Sequence, residues 1–159
     1  TALIRSSIGT ADICCHITVK ERKASAKING NEITETGVSC HGALPEGSVN
    51  AGYLLAKKLC DENLLCKEDA EQLKFIECLL ERYYGEVFGI DEEDKIFGKL
   101  TCSNGIIRTE SGKLALTFDI RYGIETDYEN IKNKISEFFG QNGWSVRIIK
   151  ELIDAINKI

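Results

Sequence analysis

The stretch Leu114-Ala115-Leu116-Thr117-Phe118-Asp119-Ile120-Arg121 alternates without a break. Successive side chains of a strand point to opposite faces. Leu114, Leu116, Phe118 and Ile120 therefore share one face, and Ala115, Thr117, Asp119 and Arg121 the other. One apolar face and one mixed face mark an antiparallel strand covered on one side only. Just upstream, Glu110-Ser111-Gly112-Lys113 supplies a turn and residues 106–109 the strand that pairs across it. Cys102-Ser103-Asn104-Gly105 reads as another turn, following a strand over 96–101. Downstream, Thr126-Asp127-Tyr128-Glu129 has the form of a capping box, with Thr at the cap and Glu three residues on. The helix it opens presents Tyr128, Ile131, Ile135 and Phe138 and stops at Gly140. Asn142-Gly143 turns the chain into a strand over 144–148, and residues 150–159 read as a last helix.

The first half repeats the theme. Ile13, Cys15, Ile17 and Val19 alternate with Cys14, His16 and Thr18, as in a half-buried strand. Asn29-Gly30 between residues 24–28 and 31–36 is a strong hairpin signal, because both turn positions need φ > 0. The loop from Gly37 to Ala51 holds the chain's single proline, Pro45, and feeds a helix over 47–60 with Val49, Tyr53, Ala56 and Leu59 on its apolar stripe. A second helix over 68–84 carries Leu73, Ile76, Leu80 and Tyr83 at helical spacing. Asp91-Glu92-Glu93-Asp94 reads as a solvated loop. The order predicts an α+β domain, an antiparallel sheet with helices on one face. The β-β-α-β second half matches a ferredoxin-like split βαβ unit, and two such units in tandem fit 159 residues.

Composition narrows the function classes. With 43% apolar and 28% charged residues the chain is an ordinary globular one, and a net charge of −5 invites neither nucleic acid nor an anionic membrane. No signal-peptide pattern or membrane-spanning run is visible. Seven cysteines without a Cys-x-x-Cys suggest buried thiols in a reducing cytoplasm, the expected location. The two histidines, His16 and His41, are too few for a clustered hydrolytic metal site. Cys14, His16, Cys40 and His41 could be drawn together as a zinc site, but nothing else in the sequence supports one. Methionine is absent, so an excised domain is the easier reading of the chain.

Two stretches resemble the lid, or dimerisation, domain of metallopeptidase family M20. The first is Gly37-Val38-Ser39-Cys40-His41-Gly42-Ala43-Leu44-Pro45-Glu46-Gly47-Ser48-Val49-Asn50-Ala51. It is similar to the family's Ala-His-(Gly/Ala)-Ser-x-Pro-x-x-Gly-x-Asn-Ala pattern. The second is Phe97-Gly98-Lys99-Leu100-Thr101, Ser103-Asn104-Gly105 and the strand ending in Asp119-Ile120-Arg121-Tyr122. Its details lean towards the dipeptidase branch. The resemblance implies that residues 1–159 are a lid covering the active site of a larger zinc dipeptidase. By resemblance, His41 is the catalytic donor to the scissile oxygen, and Arg121 holds the substrate's terminal carboxylate. Asn104 is a candidate substrate contact by the same alignment, although an Asn before Gly is more simply read as a turn former. The implied zinc belongs to a catalytic domain of the same polypeptide, since the family's metal-binding motifs are not in this sequence. The implied substrate is a dipeptide or N-acyl amino acid, and a homodimer is one assembly the resemblance allows. The family's Asn-x-x-Pro element is replaced here by Gly9-Thr10-Ala11-Asp12. The competing expectations are a ferredoxin-like binding or oligomerisation module without catalytic history, and a small-molecule sensor domain.

Overall fold

The computed structural model describes residues 2–9, 15–20, 22–38, 45–123 and 125–152, with residues 2–9 and 147–152 described by backbone alone. Along them run β1 (Ala2–Gly9), β2 (His16–Lys20), β3 (Lys23–Ile28), β4 (Asn31–Thr36), α1 (Ala51–Asp61) and α2 (Lys67–Leu80). Then come β5 (Glu93–Asp94), β6 (Gly98–Lys99), β7 (Thr101–Glu110), β8 (Lys113–Arg121), α3 (Tyr128–Gln141) and β9 (Trp144–Leu152). Strands β5 and β6 form a small separate hairpin. The others make one sheet in the order β4-β3-β2-β7-β8-β1-β9, and all neighbours are antiparallel.

This order contains two interlocked split βαβ units. Helix α3 connects β8 to β9, and β1 lies between them. The segment from β2 to α2 connects β1 to β7, and β8 lies between those. The fold is thus α+β and ferredoxin-like, but the units share one sheet instead of following in tandem. The β2-β3-β4 meander extends that sheet because β2 pairs with β7 through Thr18↔Arg108 and Val19↔Ile107.

One face of the sheet carries the core. Ile17, Val19, Ala24, Ala26, Ile107, Leu114, Leu116, Phe118 and Ile120 are all buried there together with helix residues Leu55, Leu59, Leu73, Ile76, Ile131, Ile135 and Phe139. Phe139 is the hub of an aromatic cluster and contacts Phe75, Phe88, Phe118, Phe138 and Trp144. The alternation expected in β8 is therefore correct in every apolar position.

Several boundaries differ from the sequence reading. The final strand runs to Leu152 instead of giving way to a helix at residue 150, and residues 153–159 lie outside the described residues. The α3 cap is Asp127, whose carboxylate accepts from the Asn130 N–H at 3.2 Å. Thr126 is drawn away from capping by a hydrogen bond to Glu92. The acidic stretch is only partly loop: Glu93 and Asp94 pair with Lys99 and Gly98. Leu73, Ile76 and Leu80 are buried as expected, but α2 stops at Leu80, before Tyr83.

Phe139 is fully buried, so Phe139→Ala should cost about 3–5 kcal/mol. Urea unfolding is the measurement: the midpoint should fall while the denaturant slope stays constant. A loss below about 1 kcal/mol would mean that this cluster is not the core.

Candidate functional site

Two positions singled out in the sequence flank one loop and one strand end. The loop after β4 is closed at its neck by an isolated β-bridge between Val38 and Val49. The Val38 N–H donates to the Val49 carbonyl at 2.9 Å, and the Val49 N–H returns a bond at 2.8 Å. Gly37 makes the closure possible. A Cβ there would collide with the Val49 carbonyl oxygen and approach the Ala51 nitrogen to 2.8 Å. Residues 39–44, His41 among them, lie outside the described residues.

Beyond the neck, Asn50 does two jobs. Its Oδ1 accepts from the Tyr53 N–H at 3.1 Å and caps α1. Its Nδ2 donates to the Asn104 carbonyl at 3.3 Å. Helix α1 begins at Ala51 and not at residue 47, because Gly47 is left-handed at φ 80° and Val49 is committed to the bridge. Val49 is accordingly exposed and Ala51, Leu55, Ala56 and Leu59 form the buried stripe.

The expected turn at residues 102–105 is instead the start of the ten-residue strand β7. The Asn-Gly pair marks a register shift between Asn104 and Ile106, with Gly105 as the extra residue. A bulge leaves ladder carbonyls unpaired, and Asn104 supplies the missing donor. Its Nδ2 reaches the Ile106 carbonyl at 3.0 Å and the Thr117 carbonyl at 2.9 Å. Its Oδ1 is enclosed, with no hydrogen-bond partner among the described residues.

Arg121 ends β8. Its Nε and Nη2 donate to the same oxygen, Oδ2 of Asp119, at 3.3 and 3.1 Å. The two side chains keep 30% and 33% of their surface in solvent. In the ladder Arg121 lies across from Thr101 and Asp119 across from Ser103, whereas Asn104 lies across from Phe118. Directly opposed residues share a face. Arg121 and Asp119 are therefore on the face without helices, and Asn104 is on the helix side, so the fold does not bring Asn104 and Arg121 together.

The segment after Arg121 is braced. Tyr122 is buried, with its ring stacked on Tyr128 at 6.5 Å. Gly123 sits so close to the Asp94 carboxylate that no Cβ would fit. Asp94 accepts the Ile96 and Phe97 N–H groups at 2.8 and 2.9 Å. Those bonds hold its carboxyl below the usual aspartate range.

Cys15 and Cys102 offer no nucleophile here. Burial, then the Asp69 carboxylate, pushes the Cys15 thiol up to about 12, and burial pushes Cys102 up as well. A thiol in this state is protonated and inert at neutral pH. Among the described residues, no group of three or more His, Cys, Asp or Glu could hold a metal ion. Of the imagined Cys14/His16/Cys40/His41 zinc set, only His16 is described; it is exposed in β2.

No protein-family profile matches the chain. The chain is similar to a Bacillus subtilis (strain 168) protein named "Putative dipeptidase YtjP", at 32% identity over 120 residues. The match covers 71% of this chain and 25% of the relative, so the chain spans about a quarter of the length of the relative. Among the described residues no helix is long and apolar enough to cross a membrane.

Sequence reasoning missed the Asn50–Asn104 tie, which joins residues 54 positions apart. Only the Asn-Gly pair hinted at an irregular backbone there.

Alkylation of the folded chain by iodoacetamide at pH 8 should label exposed Cys66 and Cys78 at least about ten-fold faster than Cys15 and Cys102. Peptide mass mapping reads the order. Equal rates would contradict the burial of the two slow thiols.

Proposed function

We propose that this chain is the lid of a metal-dependent dipeptidase of the M20 type, and that it serves an active site built mainly by another part of the same polypeptide. The observation that carries the reading is the likeness to the Bacillus subtilis protein named as a dipeptidase over most of this chain but only a quarter of that relative. Arg121 supports it. Its guanidinium stands on the sheet face that the chain's own helices leave open, and a planar fork of donors suits a carboxylate. In this reading Arg121 takes the terminal carboxylate of a dipeptide or N-acyl amino acid. His41 donates to the oxygen that gains charge when the scissile carbonyl is attacked, as oxyanion donors do.

Asn104 has a different part. Its amide nitrogen is engaged by two carbonyls, and its place across from Phe118 is on the helix side. It holds the bulge to which Asn50 is tied and acts on substrate only through that geometry. Zinc does not fit the described residues, which form no ligand group. The residues that would hold it belong to the other part of the polypeptide.

In the complete polypeptide, His41→Ala should lower kcat by about 100-fold, the usual loss of one oxyanion donor, with metal content and KM little changed. Steady-state dipeptide hydrolysis and elemental analysis test this together. Unchanged turnover with full metal content would end the assignment.

A further inference from the structure

Asp119 is the residue that the proposed site leaves unexplained. It lies two positions before Arg121 on the same face of β8 and gives it a single oxygen, Oδ2, which accepts from both Nε and Nη2. This contact uses the Nε edge of the guanidinium. Nη1 has no partner among the described residues, so the Nη1/Nη2 edge is left for a ligand. The other carboxylate oxygen of Asp119, Oδ1, is enclosed without a partner among the described residues. Thr101, directly across from Arg121, is buried and its hydroxyl is likewise unpartnered there. The guanidinium is therefore fastened on one edge, beside enclosed polar atoms, with its second edge open.

We infer that Asp119 is a positioning residue. It fixes the Arg121 guanidinium so that the Nη1/Nη2 edge meets a planar carboxylate with both hydrogen bonds formed at once. An arginine on a strand has four rotatable side-chain torsions, and ordering a long, rotamer-rich side chain on binding weakens affinity. Asp119 meets that cost before the substrate arrives. It also sets the angle of approach, and with it the register of the substrate chain along β8. The selected ligand is an α-carboxylate, flat and two-oxygened, and not a C-terminal amide, which offers one acceptor and a repelled NH2 donor. This inference rests on the reading of Arg121 given above.

The test is made in the complete polypeptide with the best-hydrolysed dipeptide from a screen and its C-terminal amide. Arg121→Ala comes first and should collapse the preference for the free acid over the amide. Asp119→Ala should raise KM for the free acid by up to about ten-fold, the upper end of what ordering one long side chain costs, with kcat within about two-fold. KM for the amide should not move. Asp119→Asn keeps an acceptor of the same shape and should recover most of the loss. If Arg121→Ala moves the preference and Asp119→Ala does not, positioning is wrong. If Asp119→Ala tightens binding of the free acid, the carboxylate competes with substrate and the inference is overturned. If Arg121→Ala leaves the preference untouched, the carboxylate reading itself fails and takes the inference with it. A second readout, also made in the complete polypeptide, is the Arg121 Nε–H nuclear resonance, which should be ordered and slow to exchange in the wild type. It should become fast and averaged in Asp119→Ala; a resonance that is already averaged in the wild type would also overturn the proposal.

Discussion

The apolar face of β8 sets everything else in its place. Leu114, Leu116, Phe118 and Ile120 are all buried at 2% exposure or less, and β8 has partners on both sides, β7 and β1. A slip of one residue would turn every one of these side chains outward and drive Asp119 and Arg121 into the core. The hydrophobic register therefore fixes the position of the cation. No contact made by Arg121 is needed to put it on the open face, and its partner Asp119 has only to orient it there.

The loop neck depends on a different device. A bulge at Asn104 breaks the ladder between β7 and β8, and ladder carbonyls left without donors are costly in so far as they are shielded from water. Asn104 satisfies two of them with one amide group, and its own carbonyl accepts from Asn50. Asn50 in turn caps α1 and follows the Val38–Val49 bridge by one residue. A continuous set of hydrogen bonds thus leads from the neck of the loop to the strand that ends in Arg121. The Thr117 carbonyl, its last member, is four residues from the guanidinium.

What could be read from the sequence follows from how local the cause was. The alternation in β8, the Asn29-Gly30 hairpin and the two-residue turn at Ser111-Gly112 depend on neighbours along the chain, and all three are present. The meaning of Asn104-Gly105 depends on a strand thirteen residues away and a helix cap 54 residues away, so a turn was the natural but mistaken reading. The capping box failed for the same reason: Glu92, 34 residues upstream, takes the Thr126 hydroxyl. Of the candidate site, Arg121 and its pairing with Asp119 were legible from their shared face. The function of that pair was not, because it depends on what meets the open face.

That open face is the last step. Thr18, Lys20, Lys23, Ser25, Thr34 and Thr36 line a shallow concavity on the β2-β3-β4 end of the sheet. Asp119 and Arg121 stand on the same side at the β8 end. Among the described residues, helices cover the other face only. A domain of this size could bury both faces of its sheet, as doubly wound folds do; among the described residues this side carries charged and polar groups beside Ala115 and Ile106. Such a surface is stable in water, so it need not be covered for the chain to fold. In the proposed lid, an arginine held by Asp119 on that surface would keep its donors ready before the ligand comes. A lid requires this combination: a face that can close over a charged ligand without adhering, and a cation whose direction is set before the ligand comes.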